Sequence, residues 1–82
     1  MKEHAERLTQ LVLKVHRRNG GKLTVLDLDR PLQAPEFNLD SMDLAEIMVA
    51  VEREFSVEPF NAPSPPRTWR DLLTLIEPAA SD

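Results

Sequence analysis

The chain has 82 residues, 41% apolar and 29% charged, a balance that fits one ordinary globular domain spanning residues 1–82. A domain of this size buries only roughly 60% of its unfolded surface, which leaves no second lobe for a deep substrate cleft. With no cysteine, disulfides, thiolate metal sites and a cysteine nucleophile are excluded, and the net charge is a mild −4.

The first seven residues, Met1-Lys2-Glu3-His4-Ala5-Glu6-Arg7, are charged and lack the apolar core of a signal peptide. No apolar run approaches the roughly 20 residues that cross a membrane, so a soluble, cytoplasmic protein without a membrane partner is expected. A first helix is expected over about residues 3–19. Ala5, Leu8, Leu11, Val12 and Val15 recur on one stripe at helical spacing, and Leu13 falls off it as an exposed leucine. Six basic residues lie between Met1 and Lys22 against Glu3 and Glu6 alone. Acids interrupt them and no aromatic accompanies them, so they read as a solvated face and not a nucleic-acid site. His4 and His16 stand twelve residues apart, too far for two ligands on one helix face, and both are expected at the surface. Gly20-Gly21 stops the helix by supplying a left-handed cap.

Residues 22–39 form a long connection. Leu23, Val25, Leu26, Leu28 and Leu32 fit no clean period, and Pro31 and Pro35 argue against a continuous helix. An ordered loop is expected, pinned to the core by those side chains. A second helix is expected over 41–55, capped by Asp40 and with Asp43 in its first turn. At about 100° per residue, Leu44, Ile47, Met48, Val51 and Phe55 form a broad core stripe. Met42, Ala45 and Val49 form a second apolar stripe on roughly the opposite side, with Glu46 and Arg53 beside it and Glu52 on one flank. Two readings follow: a central helix buried on both sides, or a helix that offers its second stripe to a partner. The adjacent charges favour the second reading. Seven acids against Arg53 alone between residues 31 and 60 suit basic protein partners and repel nucleic-acid phosphates.

Pro59, Pro63, Pro65 and Pro66 leave room for at most one irregular turn. A last helix is expected over 68–77, with Thr68 and Asp71 as a capping box and Trp69, Leu72, Leu73 and Ile76 as its buried stripe. Trp69 reads as a core anchor and Met48 as core filler. Pro78 is expected to end this helix, and 79–82 to fray. No Ser-His-Asp set, phosphate-cradling glycine loop, carboxylate pair in a cleft or metal-ligand cluster is present, so enzymatic activity is not expected.

The stretch Phe37-Asn38-Leu39-Asp40-Ser41-Met42-Asp43-Leu44-Ala45-Glu46-Ile47, continuing to Glu52-Arg53-Glu54-Phe55, resembles the signature of the acyl carrier protein family. The resemblance implies an all-α, acyl-carrier-like bundle of three main helices, with a long first loop and a proline-rich segment in place of a regular third helix. It implies that the Ser41 hydroxyl receives 4′-phosphopantetheine from coenzyme A through a separate phosphopantetheinyl transferase. The arm would carry acyl thioesters in fatty acid, polyketide or specialised lipid biosynthesis, with ketosynthases or acyltransferases among the partners of a monomer. Asp40, Met42, Asp43, Ala45, Glu46, Val49 and Arg53 would then contact partners, and Ile47, Val51, Phe60 and Leu72 would line the acyl-chain pocket. Three departures stand out. Asn38 occupies a position that is usually glycine, Arg53 one that is commonly acidic, and residues 57–66 are proline-rich where the family has a helix. A peptidyl or aminoacyl carrier is the nearest alternative, and an unmodified helical interaction module is the alternative of a different class.

Overall fold

The computed structural model describes residues 2–59 and 64–81. Its described elements include the helices α1 (Lys2–Arg18), α2 (Ser41–Phe55) and α3 (Trp69–Ser81) and a turn of 3-10 helix over Pro35–Phe37. The described residues contain no strand, only an isolated antiparallel bridge between Pro31 and Thr68.

Leu8, Val12 and Val15 turn inward from α1, Ile47, Met48, Val51 and Phe55 from α2, and Trp69, Leu72, Leu73 and Ile76 from α3. Each helix packs on the other two, and these side chains make one continuous core. α2 ends where Ser56 adopts φ 56°, a left-handed conformation uncommon outside glycine, and its N–H closes on the Glu52 carbonyl at 3.0 Å.

The long first loop is ordered and built into this core. Leu32, Ala34 and Phe37 are buried, and Leu23, Leu26, Leu28 and Leu39 pack half-buried against the cluster. Phe37 meets the edge of Trp69 with ring centroids 5.8 Å apart at 84°. The loop also pairs with the start of α3. Leu32 N–H donates to the Arg67 carbonyl at 2.9 Å and Arg70 N–H to the Leu28 carbonyl at 2.8 Å, and Arg70 forms an ion pair with Asp29 at 2.6 Å.

Several sequence expectations need correction. α3 does not end at Pro78. It continues to Ser81. Leu13 is buried at 5% exposure although it lies off the α1 stripe. His16 is buried as well, for the reason given below. After α2, residues 56–58 are irregular and Val57 and Pro59 are buried. Phe60 and Pro63 lie outside the described residues.

Candidate functional site

The start of α2 is defined by its cap. Asp40 has extended backbone, and its side-chain oxygen accepts the Asp43 N–H at 2.8 Å. Asp43 returns the bond, its Oδ2 accepting the Asp40 N–H at 3.1 Å. This reciprocal box satisfies donors that the first helical turn otherwise leaves open. Ser41 is the first residue inside the helix and is exposed. The two residues beyond the box, Ser41 and Met42, have no intrahelical acceptors for their N–H groups, so the positive end of the helix dipole faces this serine.

The end of α1 holds that turn in place. Gly20 has φ 91°, its N–H donates to the Arg17 carbonyl at 2.9 Å, and Gly21 N–H donates to the His16 carbonyl at 2.9 Å. These are the two bonds of a Schellman motif. Asn19, just before the glycines, donates its amide to the Asn38 carbonyl at 3.0 Å and to Asp43 Oδ2 at 2.7 Å. Asn38 answers by donating its own amide to the Asn19 carbonyl at 2.9 Å. Asn38 has φ 53° and ψ 42°, so the asparagine at the expected glycine position takes the left-handed conformation and uses its side chain as a tie.

His16 corrects the surface assignment made from sequence. It is 2% exposed. Leu23 N–H donates to Nε2 at 3.1 Å, which leaves Nδ1 to carry the proton it donates to the Phe37 carbonyl at 2.8 Å. The ring lies over Gly21, where a Cβ would stand 2.1 Å from its atoms. Gly21 is therefore required for space and Gly20 for conformation.

Arg18 gathers two carboxylates. It binds both Glu46 oxygens at 2.9 Å and Asp43 Oδ1 at 3.3 Å. The Asp40 N–H, followed by the Asn19 amide, holds the Asp43 carboxyl below the usual carboxylate range. Arg18 does the same for Glu46. The Arg18–Glu46 pair is about half exposed and worth little in stability. Of the acids expected to contact partners, Asp40, Asp43 and Glu46 are thus all engaged inside the chain.

The second stripe of α2 is open. Met42 is 77% and Val49 47% exposed, and Ala45 is exposed beside them. With Ala50, Glu46 and Arg53 they border a shallow groove of about 530 Å³. This excludes the helix buried on both sides. The residues expected to line an acyl pocket fare differently. Ile47, Val51 and Leu72 are each fully buried within the core, and Phe60 lies outside the described residues. A chain entering among the three must displace packed side chains. Among the described residues no three His, Asp or Glu side chains cluster as metal ligands, and no helix is long and apolar enough to cross a membrane.

Periodicity and cap chemistry located Asp40 and the outward stripe, and the family resemblance singled out Ser41. They missed Asn19, Arg18 and His16, which act across long sequence separations. Only Asn19 before Gly20-Gly21 and the out-of-place Asn38 hinted at such a junction. Comparison with protein-family models, with curated proteins and with solved structures finds no match for this chain.

Proposed function

We propose that this chain is an acyl carrier protein and that Ser41 is its attachment point for 4′-phosphopantetheine. The observation that carries the reading is an exposed serine in the first turn of a capped helix, followed on the outward face by the open strip Met42, Ala45 and Val49. The order of elements supports it too: a long helix, a long leucine-bearing loop, the helix opened by Asp40-Ser41-Met42, and a last helix after a proline-rich segment.

The residues at this position fit such a group. Ser41 is accessible to an enzyme, and the helix dipole favours a phosphodiester on its hydroxyl. When attached, the arm supplies a thiol that holds acyl cargo as a thioester and raises its effective concentration at partner enzymes. The chain's own part is to present the serine on a fixed helix end and to offer the strip for docking. Fully buried Ile47, Val51 and Leu72 favour short or rapidly transferred cargo over long shielded chains. The partners in this reading are a phosphopantetheinyl transferase and acyl-loading enzymes.

The test is incubation with coenzyme A and a broad-specificity transferase, read by intact mass. One phosphopantetheine is expected on the wild type and none on Ser41→Ala. No gain on wild type, or a gain that survives Ser41→Ala, defeats the reading. The first of those results leaves an unmodified module that docks through the same strip.

A further inference from the structure

We infer that Asn19, at the end of α1, is a positioning residue for Ser41: its amide locks the turn that presents the acceptor hydroxyl to the modifying enzyme. This inference rests on the carrier reading and adds a residue to it that touches neither serine nor cofactor.

Asn19 Nδ2 sits between two acceptors on the far segment, Asp43 Oδ2 at 2.7 Å and the Asn38 carbonyl at 3.0 Å. The Asn38 side chain closes the loop on the Asn19 carbonyl at 2.9 Å. These three bonds bracket Leu39, Asp40, Ser41 and Met42 on both sides. The oxygen that takes the short Asn19 bond is also the one that receives the Asp40 N–H. One carboxylate oxygen therefore serves both the helix cap and the clamp to α1.

The capping box orders α2 only with respect to itself. The Asn19 bonds fix the start of α2 to another helix, across a separation of 24 residues. Arg18 reaches the same carboxylate from a half-exposed position and at a longer 3.3 Å, so it is the weaker tie. The Asp43 side chain is only 14% exposed although Asn19 itself lies at the surface, so the acceptor is held in place and the bond gains from its charge. An enzyme that must recognise a serine and the adjacent helix face together needs that end held in one orientation, because small misplacements of a reacting group are costly in rate.

The experiment compares wild type, Asn19→Asp and Val12→Ala in transferase-catalysed loading with coenzyme A. Asn19→Asp keeps the side chain's size but replaces the donor with a carboxylate facing Asp43. Its kcat/KM is expected to fall about tenfold, the equivalent of one hydrogen bond to a charged acceptor. Val12→Ala opens a fully buried position on α1 that makes none of the bonds of the Asn19 junction. It sets what loss of stability alone does to loading, and is expected to change kcat/KM less than about twofold while its melting temperature falls further. Exchange of the hydrogen-bonded amides of Asp40, Asp43 and Leu44 is measured on the same proteins and is expected to quicken in Asn19→Asp ahead of the core amides. Loading of Asn19→Asp within about twofold of wild type, or no slower than Val12→Ala, overturns the inference while the carrier reading stands. If wild type is not modified, the carrier reading fails, and with it the role of Asn19 in presenting the serine. Exchange at Asp40, Asp43 and Leu44 then tests the clamp as a purely structural device.

Discussion

The chain uses the same local device twice and puts it to opposite ends. Asp40 with Asp43 opens α2, and Thr68 with Asp71 opens α3, each through a reciprocal box of side chain and backbone. At α2 the residues just inside the box are exposed Ser41 and Met42, and the turn is tied to α1 through polar side chains. At α3 the residues inside the box are Trp69, fully buried against Phe37, and exposed Arg70, and the turn is tied to the first loop through backbone bonds and the Arg70–Asp29 ion pair. The cap decides where a helix begins. The next side chain decides whether that beginning is a presented surface or an anchor in the core.

The contrast is most severely tested at Trp69. Trp69→Ala should cost about 3–5 kcal/mol in chemical denaturation, because it empties the centre of the core. A loss below about 1 kcal/mol would place the anchor elsewhere. Along α2 the same logic separates two neighbouring valines. Val51→Ala should cost roughly 1–3 kcal/mol, whereas Val49→Asp should leave stability within about 0.5 kcal/mol and slow loading by the transferase. An inverted pair of results would show that the helix presents the other face.

The two caps themselves should be close to equivalent. Asp40→Ala and Thr68→Ala are each expected to lower stability by about 0.5–2 kcal/mol. Only Asp40→Ala should also slow modification, because only that cap stands beside Ser41. Equal effects of both variants on loading would mean that global stability alone governs it.

Acid sharpens the equivalence further. Asp43 is held low chiefly by the Asp40 N–H, and Asp71 chiefly by the N–H groups of Arg67 and Thr68. Lowered folded-state values mean that the unfolded chain takes up these protons first. Their stabilisation is fully present above the unfolded aspartate value of about 3.9 and is lost as pH falls through the lower folded values. Thermal unfolding should therefore be insensitive to these groups from about pH 5 to 8 and weaken below about pH 4. Asp43→Asn and Asp71→Asn should each flatten that decline; an unchanged acid limb in either variant removes that carboxylate from the account.

What the sequence made legible was local. The stripes of α2 and α3, both caps, the stop at Gly20 and the pinning of the loop by leucines all follow from periods or spacings within a few residues. What it hid was set by contacts between distant segments. His16 is polar and near a helix end, so spacing alone puts it outside, yet the backbone at Leu23 and Phe37 supplies both of its hydrogen bonds. Leu13 is off its stripe and still covered. Pro78 carries a strong local signal for a stop, and the helix runs through it. For the candidate site, Ser41 and the outward strip were readable, whereas the Asn19 tie depends on which loop comes to rest against α1.

The pairing of the first loop with the start of α3 also bears on the order in which the molecule assembles. Leu28 with Arg70, and Leu32 with Arg67, join positions far apart along the chain. The entropy of closing such a span is spent before its bonds return anything, and it grows with the logarithm of the span. The helical turns need no such closure and reach their geometry on far shorter timescales. The strap across 28–32 therefore offsets a cost that no helical turn incurs: it holds together two segments that the chain alone leaves far apart.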